Sequence, residues 1–170
     1  MNAVQKIHVK PNNNWMNDPN GFIYHKGAYH LFYQCFPYSA RWGRMHWNHM
    51  ISKDLVHWED LGIALFPSKT DDRSGCFSGS AVEDVVENPE DINLCLDEQF
   101  VSAQMMITSE DGIHFDNIQD KKTVIPVLHD PKVGDARHTR DPKVWKEKDG
   151  WYMVLGSTIE DQTGRLLFFR

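Results

Sequence analysis

The chain repeats itself, and the length of the repeat limits what it can fold into more than any other feature. "SKDLVHWED" (Ser52 to Asp60) and "SEDGIHFDN" (Ser109 to Asn117) carry Ser, Asp, His, an aromatic and an acid in the same order, 57 residues apart. "DPNGFIYHKGAYHLFYQ", from Asp18, and "DPKVWKEKDGWYMVLGS", from Asp141, lie 123 residues apart. They share Asp-Pro, a later glycine (Gly27, Gly150) and a tyrosine two positions beyond it (Tyr29, Tyr152). The longer offset is close to twice the shorter, so one further unit is expected between them. Self-similarity at a fixed period marks an architecture built from stacked supersecondary units.

Each unit reads as strands. "GFIYH" and "AYHLFYQ" flank His25-Lys26-Gly27, and "KVWKE" and "WYMVLGS" flank Lys148-Asp149-Gly150. Aromatic and β-branched runs around a short glycine turn are hairpin chemistry. "RMHWNHMIS" then alternates as a third strand, and "VHWEDLGIAL" leads into a fourth. Four strands in roughly 60 residues is the size of a propeller blade. The expected fold class is all-β, a β-propeller. Unit starts near Asp18, Gly79 and Asp141 give about two and a half blades, fewer than the four or more that close a propeller. The expectation is that residues 1–170 form the N-terminal portion of a single propeller domain, cut off after "LLFFR". Its unpaired blade edges would be open to self-association.

Composition narrows the partners. The net charge of −6 carries no electrostatic footprint for nucleic acid, and no apolar run reaches membrane-spanning length. "MNAVQKIHVKPNNN" lacks the apolar stretch of a signal peptide. Three widely spaced cysteines (Cys35, Cys76, Cys95) argue against a disulfide framework and for a reducing compartment. A cytoplasmic location is expected, with no cofactor and no metal. "HWNH" is not read as a metal pair, because His46 and His49 fall on opposite faces of a strand.

The repeat places Asp18 and Asp141 at matching positions, each at the start of an innermost strand facing one central funnel. Two readings stay open from spacing alone. Asp-Pro is a turn-initiating pair, so both can be blade-forming turns. Two carboxylates converging in a cleft lined by Trp and His are also a functional pattern. The middle unit, "GCFSGSAV" (Gly75 to Val82), offers Ser78, Gly79 and Ser80 beside Phe77, where small residues permit close approach of a ligand.

"WMNDPNG", "GCFSGSAV" and "RDPKVW", in that order, resemble glycoside hydrolase family 32, the group of invertases, sucrose-6-phosphate hydrolases, levanases and inulinases. "HLFYQCFPYSARWGRMHW" and "ISKDLVHWEDLGIALFPS" are similar to its first blade. The resemblance implies a five-bladed propeller that hydrolyses terminal β-D-fructofuranosides, such as sucrose or sucrose-6-phosphate, with retention. It implies Asp18 as the nucleophile and Asp141 as the group that stabilises the transition state, with Arg140 beside it. Trp15, Asn17, Gln34, Trp42, Phe77 and Ser78 fall on positions that line the fructose pocket. A retaining glycosidase needs a second carboxyl about 5–5.5 Å from the nucleophile, acting first as acid and then as base.

The sequence departs from the family in three places. The resemblance assigns the general acid to a Glu-Cys pair, and none occurs here; that residue is expected beyond Arg170. "EDVVENPEDINLCLDEQF" (Glu83 to Phe100) replaces a short turn and strand with a stretch holding seven acids and no Lys or Arg. It reads as a loop variant with "INLCL" still a strand, or as a damaged second blade; no calcium-loop spacing occurs in it. Thr139 stands where an aromatic is common before Arg-Asp-Pro. Two further readings follow from the missing acid: a non-catalytic fructoside-binding remnant, or one part of an enzyme completed by another chain. A phosphorylated sugar would need a basic pocket, for which Arg41, Arg44 and Lys53 are the candidates.

Overall fold

The structure, a computed structural model, describes residues 8–83, 92–95, 101–159 and 163–170. Eleven strands form three antiparallel sheets among these residues. The first holds β1 (Trp15–His25), β2 (Ala28–Phe36), β3 (His46–Ser52) and β4 (Trp58–Leu65) in sequential order. The second holds β5 (Cys76–Ser80), β6 (Ile92–Cys95), β7 (Ala103–Met106) and β8 (Lys122–Ile125), again in order. The third holds β9 (Arg140–Glu147), β10 (Gly150–Thr158) and β11 (Gly164–Phe169). These are two four-stranded propeller blades and three strands of the next, so the all-β reading and the blade count both hold. Within the acidic stretch, Ile92–Cys95 is the strand expected of "INLCL"; most of the remainder lies outside the described residues.

The blades pack through alternating side chains. On β2, Phe32 faces a core shared with the second blade: Trp47, Leu65, Cys76 and Ile107, flanked by Phe115. Its neighbours Tyr33 and Cys35 face the opposite side, with Met50 and Trp58. A strand buried on both faces in this way reads as a continuous apolar and aromatic run, as "HLFYQCF" does. Val144, Met153 and Leu155 of the third blade pack with Val82 and Ile125 of the second. Burial of this kind stabilises by about 25 cal/mol per Å² of apolar surface, so the interfaces between blades form the core.

Polar chemistry ties the first blade to the second. The connection after β4 carries Asp72, and the carboxylate is fully buried against the Lys121 ammonium at 2.5 Å. Lys121 also donates to the Phe66 carbonyl at 2.6 Å, while the backbone N–H groups of Ser68 and Lys69 donate to the other Asp72 oxygen. Asn117, at the end of the second repeat motif, donates to Ala64 O and accepts from Phe66 N.

The 57-residue repeat proves to be a turn that closes the outer hairpin of each blade. Asp54 accepts from the backbone N–H groups of Val56 and His57 and from the His57 ring at 2.7 Å. Asp111 repeats the pattern with Ile113, His114 and the His114 ring at 2.6 Å. The histidine hydrogen bond, followed by the backbone donors, holds both carboxyls well below the usual carboxylate range. The position after each Asp lies in the left-handed region, with Leu55 at φ 65° and Gly112 at φ 73°. Leucine meets a steric cost there that glycine does not.

Two outcomes are expected. Leu55→Gly should stabilise the protein by about 1 kcal/mol, raising Tm by about 2–4 °C, because Leu55 is half exposed and loses little burial. Lys121→Met should cost about 3–5 kcal/mol in urea unfolding, because it leaves the Asp72 charge buried without a partner.

Candidate active site

The innermost strands β1, β5 and β9 lie side by side, and each carries the same local defect. Between the pairs Met16↔Cys35 and Pro19↔Tyr33, Asn17 and Asp18 stand opposite the single residue Gln34. Between Phe77↔Leu94 and Ser80↔Ile92, Ser78 and Gly79 stand opposite Asn93. Between Gly156↔Arg140 and Val154↔Lys143, Asp141 and Pro142 stand opposite Leu155. Two residues against one is a β-bulge, which bends the strand and re-aims its side chains. The turn chemistry of "NDP" is thus used inside a strand. A proline there needs a free edge, and an innermost strand supplies one.

The bulges turn their polar side chains toward one another. Trp15 Nε1–H donates to Asn17 Oδ1 at 2.9 Å, and Asn17 Nδ2 donates to Gln34 Oε1 at 2.6 Å. Gln34 Nε2 donates to Ser78 Oγ at 3.0 Å, and Ser78 Oγ donates to Asp18 Oδ2 at 2.8 Å. Every donor in this chain of four bonds points the same way, and the last acceptor is the Asp18 carboxyl. Gln34 is buried, so its amide has no alternative water partner to turn toward. Two supports lay beyond sequence reasoning. Trp47 Nε1–H donates to the Phe77 carbonyl at 3.0 Å, and Ser80 Oγ accepts from the Val144 N–H at 3.1 Å, joining β5 to β9.

Asp141 occupies the third wall at φ 60°, a left-handed conformation that costs an Asp less than most residues but still stores strain. Thr139, the departure before Arg-Asp-Pro, is buried and anchors this turn. Its hydroxyl donates to Asp135 O at 2.7 Å and lies 2.7 Å from Ser157 Oγ, and its carbonyl accepts from Gln104. The Asp141 side chain is exposed, yet surrounding protein displaces much of the water around it. That desolvation pushes its carboxyl above the usual range; the Arg140 guanidinium, with Nε 3.9 Å from Oδ2, pulls it back, and the charge on Asp18 pushes it up again. Asp18 and Asp141, 123 residues apart in the chain, are thus electrostatic neighbours. Trp42, on the loop between β2 and β3, meets Phe77 edge to face at 5.8 Å. All nine sequence-derived positions fall in this one region. His46 and His49 part company as expected of a strand: His46 bonds Arg44 O, while His49 stacks on Phe32 and bonds His30.

A family model described as "Glycosyl hydrolases family 32 N-terminal domain" matches residues 8–170. The chain belongs to family 32. A sucrose-6-phosphate hydrolase of Zymomonas mobilis is 47% identical over 162 residues, covering 92% of this chain and 30% of that protein. A Bacillus subtilis levanase is 42% identical over 163 residues, covering 89% of this chain and 23% of its own length. Among solved structures, the sucrose-6-phosphate hydrolase of Lactobacillus gasseri superimposes with a TM-score of 0.79 at 31% identity, covering 96% of this chain and 33% of that one. A Bombyx mori family 32 β-fructofuranosidase mutant in complex with sucrose superimposes at 0.76 with 40% identity, covering 97% and 34%. The chain spans about a quarter to a third of the length of these relatives. Among the described residues, no helix is long and apolar enough to cross a membrane.

Removing the Asp18 charge should make Asp141 easier to ionise. In Asp18→Asn, the Asp141 pKa read by carboxyl NMR titration should fall relative to wild type; an unchanged value would mean the two carboxyls do not share a site.

Proposed function

We propose that this chain supplies the nucleophile and the charge-stabilising wall of a retaining β-fructofuranosidase acting on terminal β-D-fructofuranosides of the sucrose type. The observation that carries the reading is the one-way hydrogen-bond chain from Trp15 through Asn17, Gln34 and Ser78 into Asp18 Oδ2. It fixes the carboxylate through Oδ2, while Oδ1 takes no hydrogen bond from the described residues. That free oxygen attacks the anomeric carbon of the fructosyl unit as the bond to the leaving sugar breaks. The leaving oxygen takes a proton from a general acid, and a fructosyl ester of Asp18 results. Water, deprotonated by the same acid acting now as base, then releases fructose and restores the carboxylate.

Positive charge builds on the fructosyl ring between Asp18 and Asp141 as the bond breaks. A cation placed there offsets the desolvation and, secondarily, the Asp18 charge that together raise the Asp141 pKa, so the pair favours the transition state over the ground state. Arg140 partly offsets the rise in the Asp141 pKa, and Trp42 with Phe77 offers apolar surface to the sugar. The acid has no Glu-Cys pair to come from in these 170 residues. Under this proposal it comes from the part of the propeller beyond them, in the same polypeptide or in a second one. A second reading, in which these residues bind the fructoside without cleaving it, differs from the first in predicting no turnover. We propose a cytoplasmic location as well. Cys35 and Cys76 are free and buried, and desolvation pushes the Cys35 thiol up to about 12, as suits inert thiols in a reducing compartment.

Glucose release from sucrose tests the proposal. Asp18→Asn should lower kcat by about 10⁴-fold or more, and Asp141→Asn by roughly 10²–10⁴-fold with a smaller change in KM. Mass spectrometry of acid-quenched enzyme should show one fructosyl unit on the Asp18 peptide. Sucrose binding with no glucose release from wild type would favour the binding-only reading.

A further inference from the structure

Asp141 keeps a left-handed backbone, at φ 60°, inside the strand β9. Such a conformation persists only where its surroundings over-determine it. Its own blade does not do so, because the β9–β10 ladder skips Asp141 and Pro142 between the pairs Gly156↔Arg140 and Val154↔Lys143. The restraint comes instead from the second blade. Two residues upstream of Asp141, the Thr139 carbonyl accepts from Gln104 Nε2 at 3.1 Å. Three residues downstream, the Val144 N–H donates to Ser80 Oγ at 3.1 Å. Gln104 stands on β7 and Ser80 on β5, so the strained residue is clamped on both sides across the blade boundary.

The upstream clamp is itself braced. Ser102, buried just before β7, donates its N–H to Ala136 O at 2.6 Å and its hydroxyl to Arg137 O at 2.9 Å. Asp135 Oδ1 accepts from the N–H groups of Arg137 and His138. A hydroxyl has one proton to give, and that of Thr139 goes to Asp135 O; the 2.7 Å contact between Thr139 and Ser157 is therefore donated by Ser157. The segment leading to Asp141 is thus stitched to the second blade and to β10 before it reaches Gln104.

Gln104 carries the most telling sign. A carbonyl only accepts, so the amide must turn Nε2 toward Thr139 O. That orientation leaves Oε1 buried without a hydrogen-bond partner among the described residues, on a side chain only 1% exposed. A buried acceptor left empty is destabilising, and a leucine would fill the same place without one. Packing therefore does not require a glutamine here, whereas a donor aimed at the Thr139 carbonyl does.

We propose that Gln104 and Ser80 are positioning residues for Asp141, two side chains of the second blade that hold the carboxylate of the third in its left-handed turn. The proposal rests on the fructoside reading of the site for what that carboxylate does. Gln104 is buried, so it acts through Asp141 and not on the sugar.

Carboxyl NMR titration of Asp141 in Gln104→Leu, in Ser80→Ala and in their combination tests this, with urea unfolding of each. Gln104→Leu exchanges one empty buried acceptor, Oε1, for another, the Thr139 carbonyl, so its unfolding midpoint should stay close to that of wild type. Released from its clamps, Asp141 should turn toward water and lose the desolvation that raises its carboxyl, so its pKa should fall toward the ordinary aspartate range, furthest in the double variant. In glucose release the same variants should lower kcat about tenfold with a smaller change in KM. An Asp141 pKa unchanged in the folded double variant would overturn the proposal whatever the activity. If Gln104→Leu does not fold, Ser80→Ala, at a half-buried position, decides in the same way. A shifted Asp141 in a protein that neither binds nor cleaves sucrose would keep the positioning and overturn the fructoside reading.

Discussion

The buried ion pair between Asp72 and Lys121 is the interaction on which the site's geometry depends. Both side chains are cut off from water, and such a pair is tolerable only when every remaining donor and acceptor is used. Here the backbone of Ser68 and Lys69 and the Phe66 carbonyl complete it. Its consequence is positional. The chain leaving the first blade turns at Asp72, and Gly75 N donates back to the Asp72 carbonyl. Cys76, Phe77 and Ser78 follow at once. The hydroxyl that bonds Asp18 is thus mounted six residues from a charge pair that spans two blades.

From that anchor the three bulges follow a common logic. A regular innermost strand would send alternate side chains into the two neighbouring interfaces and leave few for the axis. Inserting one extra residue breaks the alternation locally and turns polar groups toward a shared point. The three bulges are not chemically alike: a carboxylate next to an amide, a hydroxyl next to a glycine, a carboxylate next to a proline. The amide and hydroxyl form the one-way hydrogen-bond chain that steadies the first carboxylate, while the second is left strained and poorly hydrated. One frame thereby gives two carboxylates different surroundings.

Much of this was legible in the sequence. His25-Lys26-Gly27 was readable as a hairpin turn, and Lys26 and Gly27 do take the positive φ angles that such a turn requires. The blade period was readable from Ser52 and Ser109, because the turn they build depends on a few local side chains in fixed order. The bulges were not readable, since one inserted residue looks like a small lapse in alternation; only Asp-Pro hinted at two of them. The order of donors from Trp15 to Asp18 spans three strands and two blades, which no local pattern encodes. Asp72 and Lys121 lie 49 residues apart in polar segments, where sequence offers no sign of burial. Thr139 looked like a minor departure, and only its burial shows that it anchors Asp141.

Pro19 and Pro142 have a consequence beyond aiming the carboxylates. Each innermost strand borders the axis with an edge that nothing in its own blade covers, and such an edge tends to recruit another strand. A residue without an N–H, set beside a bulge (Pro19) or in one (Pro142), is a poor template for that pairing. The Asp-Pro dipeptide therefore has a second role, keeping the inner strands from zipping onto one another or onto a passing chain. The axial gap between the innermost strands is held open by what the backbone there cannot donate.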